Sequence, residues 1–160
     1  RTLGNSFFDK QLFSRGIEIS KGREQISLNQ LKILQFTEKT FTNFFIDTTV
    51  DQAIRKFKKT KTTEGYIIDK NSIFYGKINL LDIIDKKNGD KIINYKSNNP
   101  LVLSPNTSLL ETIKKLSKFV GESIPVVDSK TKQMNGIISE NTVLQAYLDV
   151  SEEINFIEKN

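Results

Sequence analysis

Ile124-Pro125-Val126-Val127-Asp128, the polar turn Ser129-Lys130-Thr131-Lys132-Gln133 and then Asn135-Gly136-Ile137-Ile138-Ser139 decide the fold. Two short runs rich in β-branched residues, separated by polar ones, read as a hairpin with strands over 125–128 and 135–138. The same phrase occurs earlier in the chain. Tyr66-Ile67-Ile68-Asp69 matches Pro125-Val126-Val127-Asp128, and Gly76-Lys77-Ile78-Asn79 matches Gly136-Ile137-Ile138-Ser139 at a displacement greater by a single position. That extra position falls in the second polar turn, where an insertion disturbs least.

The copies extend in both directions. Thr49-Val50-Asp51-Gln52-Ala53-Ile54 and Ser108-Leu109-Leu110-Glu111-Thr112-Ile113 stand at the same displacement as Tyr66 and Pro125. Thr49-x-x-Gln52 and Ser108-x-x-Glu111 have the form of capping boxes, in which each end of the motif satisfies a free N–H of the first helical turn. Val50, Ile54 and Phe57 then give one apolar stripe, and Leu109, Ile113, Leu116 and Val120 give another with one further turn. Lys56, Lys58 and Lys59 lie mostly off the first stripe.

Short β segments are expected before these helices, at Phe44-Phe45-Ile46 and Leu101-Val102-Leu103. After each hairpin a second helix opens at Asn79 or Ser139, both good N-caps. One carries Leu80, Ile83 and Ile84 and closes at Asn88-Gly89; the other carries Val143, Leu144 and Tyr147. The predicted fold is α/β (α+β): two β-α-β-β-α repeats packed as a pseudo-twofold pair, with an N-terminal helix-and-arm segment. The small sheets are expected to carry helices on one side and face each other on the other. The domain reading is 1–35 arm, 36–88 first repeat, 89–99 linker, 100–150 second repeat and 151–160 tail.

The arm needs a separate reading. Ser6-Phe7-Phe8-Asp9, the Phe8–Leu12 spacing and Gly16 predict a short helix over 7–15. Ile17 and Ile19 alternate with polar residues, and Ile26, Leu28, Leu31, Ile33 and Leu34 follow without a clean period. An extended arm wrapped on the repeats is expected there.

Composition narrows the chemistry. The 160 residues are 37% apolar and 27% charged, ordinary for a globular chain, and contain neither cysteine nor histidine. Disulfides, thiolate and imidazole metal sites, and Ser-His or Cys-His nucleophile pairs are therefore excluded. The clustered acids Glu152-Glu153 read as a solvated face, and no catalytic or metal-binding residue is expected. Lys and Arg exceed Asp and Glu by 24 to 19, a net charge of +5 dispersed along the chain. That permits an anionic partner without requiring one, and no interleaving of aromatic and basic residues points to nucleic acid. No apolar run reaches the roughly 18 to 20 residues needed to span a bilayer, and no signal peptide opens the chain. The start at Arg1 rather than Met gives the expectation of a piece of a longer protein.

The doubled phrase resembles the cystathionine-β-synthase (CBS) domain, and the tandem resembles the CBS pair, over roughly residues 36–148. The second copy carries the pattern in full; the first has Tyr66 where the pattern has proline. The arm, from Ser6-Phe7-Phe8-Asp9 and Leu12 through Arg15-Gly16-Ile17-Glu18 and Gly22-Arg23-Glu24 to Leu31, resembles the segment that precedes the CBS pair of ClC-type chloride channels and chloride/proton antiporters.

These resemblances imply a regulatory module that performs no chemistry itself. It would sit at the cytoplasmic face of a membrane, attached to a transporter domain of the same chain, as a homodimer and near anionic lipid. They also imply a cleft able to hold an adenine nucleotide (ATP, ADP or AMP), with no cofactor required. The cleft residues carried over are Tyr66, Asn79, Asp82, Pro125, Ser139 and Thr142. Asn79-Leu80-Leu81-Asp82 keeps the carboxylate that takes ribose hydroxyls, whereas Ser139-Glu140-Asn141-Thr142 has lost it. The adenine-stacking aromatic expected near Thr62 is also missing. Asn79-x-x-Asp82 reads first as a plain helix cap with an acid in the first turn, and Tyr66 as a half-buried strand residue rather than an adenine platform. Weak or absent nucleotide binding is therefore expected. The alternative is an adenine-nucleotide sensor attached to a soluble enzyme or standing alone.

Overall fold

The computed structural model describes residues 23–159, with side chains over 25–157. The helix expected over 7–15 lies outside the described residues. In chain order the elements are α1 (Arg23–Gln30), a 3-10 turn (Ile33–Phe36), β1 (Asn43–Phe44), α2 (Val50–Thr60), β2 (Glu64–Ile68), β3 (Phe74–Asn79) and α3 (Leu80–Ile83). A second 3-10 turn (Ile92–Tyr95), α4 (Leu109–Leu116), β4 (Ser123–Val127), β5 (Met134–Ser139) and α5 (Glu140–Lys159) follow. The chain divides into two compact units, and the boundary falls within both β4 and β5.

One unit comprises 23–37, Leu103–Ile124 and 138–159. Here α1 packs on α4 and α5. The stretch expected to be an extended arm is thus helical at Arg23–Gln30. Among the described residues it is extended next to that helix, where Leu109 N donates to Leu31 O at 2.8 Å and Ile33 N donates to Thr107 O at 2.9 Å. The helix escapes a periodicity reading because its apolar stripe is so narrow: Leu28 is fully buried while Ile26 is exposed. At α4 the Ser108 half of the expected capping box forms, with Glu111 N donating to Ser108 Oγ at 3.1 Å. The Glu111 carboxylate instead meets Lys115 at 3.4 Å, one turn along the helix. The further turn expected through Val120 is absent, because α4 ends at Leu116 and leaves Val120 80% exposed.

The other unit comprises Glu38–Val102 and Pro125–Ile137. β1 pairs parallel to β2, and β2 pairs antiparallel to β3 with Tyr66 opposite Lys77 and Ile67 opposite Gly76. One face of this sheet meets α2. Phe44, Ile67 and Ile78 pack there with Val50, Ala53, Phe57, Ile83 and Ile92 as a buried core. Phe44 and Phe57 meet edge to face with centroids 5.0 Å apart. Thr49 N donates to Gln52 Oε1 at 3.0 Å, as the box predicts, and Lys61 (φ 56°) turns the chain out of the helix.

Three further expectations are corrected. The first strand is Asn43–Phe44, so Phe45 and Ile46 lie outside it and are exposed. Leu101-Val102-Leu103 contributes no strand, and the second sheet contains β4 and β5 alone. Leu103 is nonetheless buried and forms a single β-bridge rather than a strand. Finally, α3 is one turn of four residues with Leu81 and Ile84 exposed, since Asp85-Lys86-Lys87-Asn88-Gly89 offers no apolar position to bury.

The two hairpin turns show where the extra residue went. Ser72 N donates to Asp69 O, whereas Lys132 N donates to Asp128 O, one position further along, both at 2.9 Å. Ser72 and Lys132 adopt the same left-handed φ, 63° and 64°. The insertion therefore widens the turn and is absorbed before the strand resumes. The tips also join: Phe74 N donates to Lys132 O at 3.0 Å and Met134 N to Ser72 O at 2.8 Å.

Candidate functional site

Alternation along β2 and β3 sets the site's chemistry. Gly65 and Ile67 face α2 together with Gly76 and Ile78, so Glu64 and Tyr66 share the opposite face with Lys77 and Asn79. Tyr66 is 1% exposed. Its ring meets Phe41 edge to face at 5.9 Å and Phe74 at 6.5 Å, within a cluster that includes Val127 and Met134. It is a fully buried strand residue, where the sequence suggested a half-buried one.

Beside that ring lies a pair that sequence reasoning missed. Lys77 Nζ stands 2.8 Å from Glu64 Oε1, with the two side chains only 7% and 9% exposed, and 5.9 Å from the Tyr66 centroid. The two residues sit diagonally across the ladder, a separation long side chains can bridge. A signal was available. Lys77 lies between Gly76 and Ile78 in a short strand, and Glu64 stands at the same alternation parity as Tyr66.

Asn79 ends β3 and takes the N-cap position of α3, but its side chain makes no cap bond. Its amide donates instead to Asp82 Oδ2 at 3.3 Å and to Ser97 Oγ at 3.1 Å. The plain-cap reading of Asn79 is thus corrected: the α3 backbone gains nothing from its side chain, which positions Asp82. Asp82 is exposed and ends up on the surface of this unit. A one-turn helix also brings little dipole to a phosphate, because the macrodipole is a sum over aligned peptides.

At the matching place in the second repeat, Ser139 does cap. Thr142 N donates to Ser139 Oγ at 3.2 Å, and the two hydroxyls lie 2.9 Å apart. The pairing of cap residue with cap-plus-three is preserved between copies while its chemistry changes, from amide and carboxylate to two hydroxyls. Glu140, in the first turn of α5, is buried. Pro125 is buried in β4. Tyr66, Asn79, Asp82 and Pro125 belong to one unit, Ser139 and Thr142 to the other.

Thr62, where a stacking aromatic was sought, uses its hydroxyl on Thr42 at 2.8 Å and on Thr60 at 2.7 Å. Nearby, burial, reinforced by Lys59, holds the Lys56 ammonium below its ordinary pKa. Its Nζ donates to Asn43 O and lies 5.3 Å from the Phe44 ring centroid. Among the described residues no cluster of acids could hold a metal, and no helix is long and apolar enough to cross a membrane.

With that geometry in hand, comparison with known proteins places the fold. The family model described as CBS domain matches residues 92–149, which span the second repeat. Among curated protein sequences none matches the chain. Solved structures do. CbpB in complex with c-di-AMP aligns over 86% of this chain and 97% of its own, at 15% identity and a TM-score of 0.72. The CBS-pair protein CBSX2 from Arabidopsis thaliana aligns over 76% of this chain and 97% of its own, at 22% identity and a TM-score of 0.66. CBSX2 has also been solved in complex with AMP, and that structure gives a TM-score of 0.65. A CBS domain pair/ACT domain protein from Thermotoga maritima aligns over 74% and 98% of the two chains, at 19% identity and a TM-score of 0.65. The fold is that of tandem CBS domain pairs.

Proposed function

We propose that this chain is a regulatory CBS-pair module that binds an adenine nucleotide and performs no chemistry of its own. The observation that carries the reading is Asp82. Its carboxylate is exposed at the start of the helix after β3, steadied by the Asn79 amide at 3.3 Å. A carboxylate so placed can accept from two ribose hydroxyls, and bonds to a charged acceptor contribute about 1.5 to 3 kcal/mol each. Support also comes from the two similar folds solved with AMP and with c-di-AMP. The second repeat, with Thr142 in the equivalent place, is the weaker half. Calorimetry of AMP, ADP, ATP and c-di-AMP against the chain tests the reading. Binding that Asp82→Ala weakens at least tenfold supports it; no heat from any of the four defeats it.

A second reading concerns the parent protein. The resemblance of the arm, from Ser6 to Leu31, to the segment preceding the CBS pair of ClC-type transporters favours a module at the cytoplasmic face of a membrane. There it would work as a homodimer against the transporter domain and near anionic lipid. Sequencing the gene through the codon for Arg1 decides it: a run of apolar helices encoded ahead of Arg1 supports the transporter parent, and a soluble catalytic domain or a start codon there ends it. Nucleotide sensing in a soluble setting has the broader support, since it needs only the fold and Asp82.

A further inference from the structure

The Lys77–Glu64 pair is unexpected where it lies. Both side chains are more than nine-tenths buried beside the Tyr66 ring, on the sheet face that also carries Asn79. Removing two charges from water carries a desolvation penalty that their attraction only partly returns, and apolar side chains of similar volume often serve a fold as well or better. The opposite face of the same strands makes that choice, with Ile67 and Ile78. The sheet itself therefore does not need this pair. What the pair does provide is a cation held in place, with its counter-anion, next to the residue that positions Asp82.

We propose that Glu64 is a built-in stand-in for the phosphate of a nucleotide, holding the Lys77 ammonium until a ligand phosphate takes its place; this rests on the adenine-nucleotide reading above. The geometry suits an exchange. Lys77 sits within β3, with its backbone carbonyl held by Ser97 N at 2.9 Å, and its ammonium lies 5.9 Å from the Tyr66 ring centroid, a contact that does not depend on Glu64. Glu64 is the first residue of β2 and follows exposed Thr63, so its carboxylate has only to swing past the strand end to reach water. While Glu64 remains, it both occupies the cation and repels an incoming phosphate. The unliganded site is thereby set against phosphate-bearing ligands, and nucleotide affinity becomes the difference between two anions competing for one ammonium.

Calorimetric titration of AMP and of adenosine into the full chain tests this, using the wild type, Glu64→Gln, and the double variant Glu64→Gln/Lys77→Gln. The expected result is that Glu64→Gln binds AMP about tenfold more tightly than the wild type with adenosine affinity unchanged. The double variant is expected to bind AMP and adenosine alike. If the single variant does not fold, as judged by circular dichroism, the comparison of wild type with the double variant carries the test: the same AMP-to-adenosine ratio in both overturns the proposal. An AMP affinity in Glu64→Gln no higher than in the wild type, with adenosine still bound, overturns the exchange and leaves nucleotide sensing standing. Binding of neither ligand to any of the three proteins overturns the exchange, and no heat from ADP, ATP or c-di-AMP either overturns nucleotide sensing with it.

Discussion

Gly65 lies directly beneath the Phe44 ring: a Cβ placed on it would stand 2.5 Å from Phe44 Cε2 and 3.2 Å from Thr42 O. The second contact is backbone, which cannot give way as a flexible side chain would. The first involves a ring already locked edge to face against Phe57. Gly65→Ala is therefore expected to destabilise the chain by about 1 to 3 kcal/mol through overpacking. Urea denaturation reads this directly, and an unchanged midpoint would show that the sheet and the ring can slide apart.

The buried pair makes a second prediction, about stability alone. Removing one partner strands the other charge, so Lys77→Met or Glu64→Leu alone should each cost about 3 to 5 kcal/mol. The double variant Glu64→Leu/Lys77→Met should lie much closer to the wild type, giving a large coupling energy in the double-mutant cycle. Additive losses in denaturation midpoints would mean that the two groups do not depend on each other.

Asp69 and Asp128 predict the response to acid. The Asp69 carboxylate is held below its ordinary pKa, first by the Ile73 N–H and also by that of Asn71; Asp128 is held down by the N–H groups of Thr131 and Lys130. Both folded-state values are depressed. Their contribution is thus present above the unfolded pKa and is lost as pH falls through the lowered folded value, below about pH 4. Melting temperature should drop across that window, and Asp69→Asn/Asp128→Asn should flatten the drop. An acid limb unaltered in the double variant would place the titrating groups elsewhere.

The nucleotide reading proposed above also makes a prediction at Thr142. Thr142→Asp restores a carboxylate at the position equivalent to Asp82, within the first turn of α5, where an acid also gains about 0.3 to 1 kcal/mol from the helix dipole. The expected outcome is a higher AMP affinity and a slightly raised melting temperature. A stability gain with no change in calorimetric affinity would restrict nucleotide contact to the first repeat.

Much of this was legible because it depends on neighbours in sequence. The hairpins, the Thr49–Gln52 box, the Ser139 cap and the position of the inserted residue all follow from turn and cap chemistry within a short stretch, and each is found as read. The errors come where a distant surface decides. Arg23–Gln30 is helical because α4 and α5 are there to pack on, and one turn suffices for α3 because Asp85-Lys86-Lys87-Asn88-Gly89 offers nothing apolar to bury. At the candidate site residues, local sequence did not reveal that Asn79 would give its amide to Asp82 and Ser97 instead of capping a helix, because Ser97 is brought there by the fold.

The order of residues alone dictates two hairpin repeats and the offset between them, because periodicity and turn chemistry act locally. Packing in three dimensions was needed to withdraw Lys77 and Glu64, on separate strands, from water together. Which face of a sheet is covered, and what an alternating residue meets there, depends on the elements packed against it.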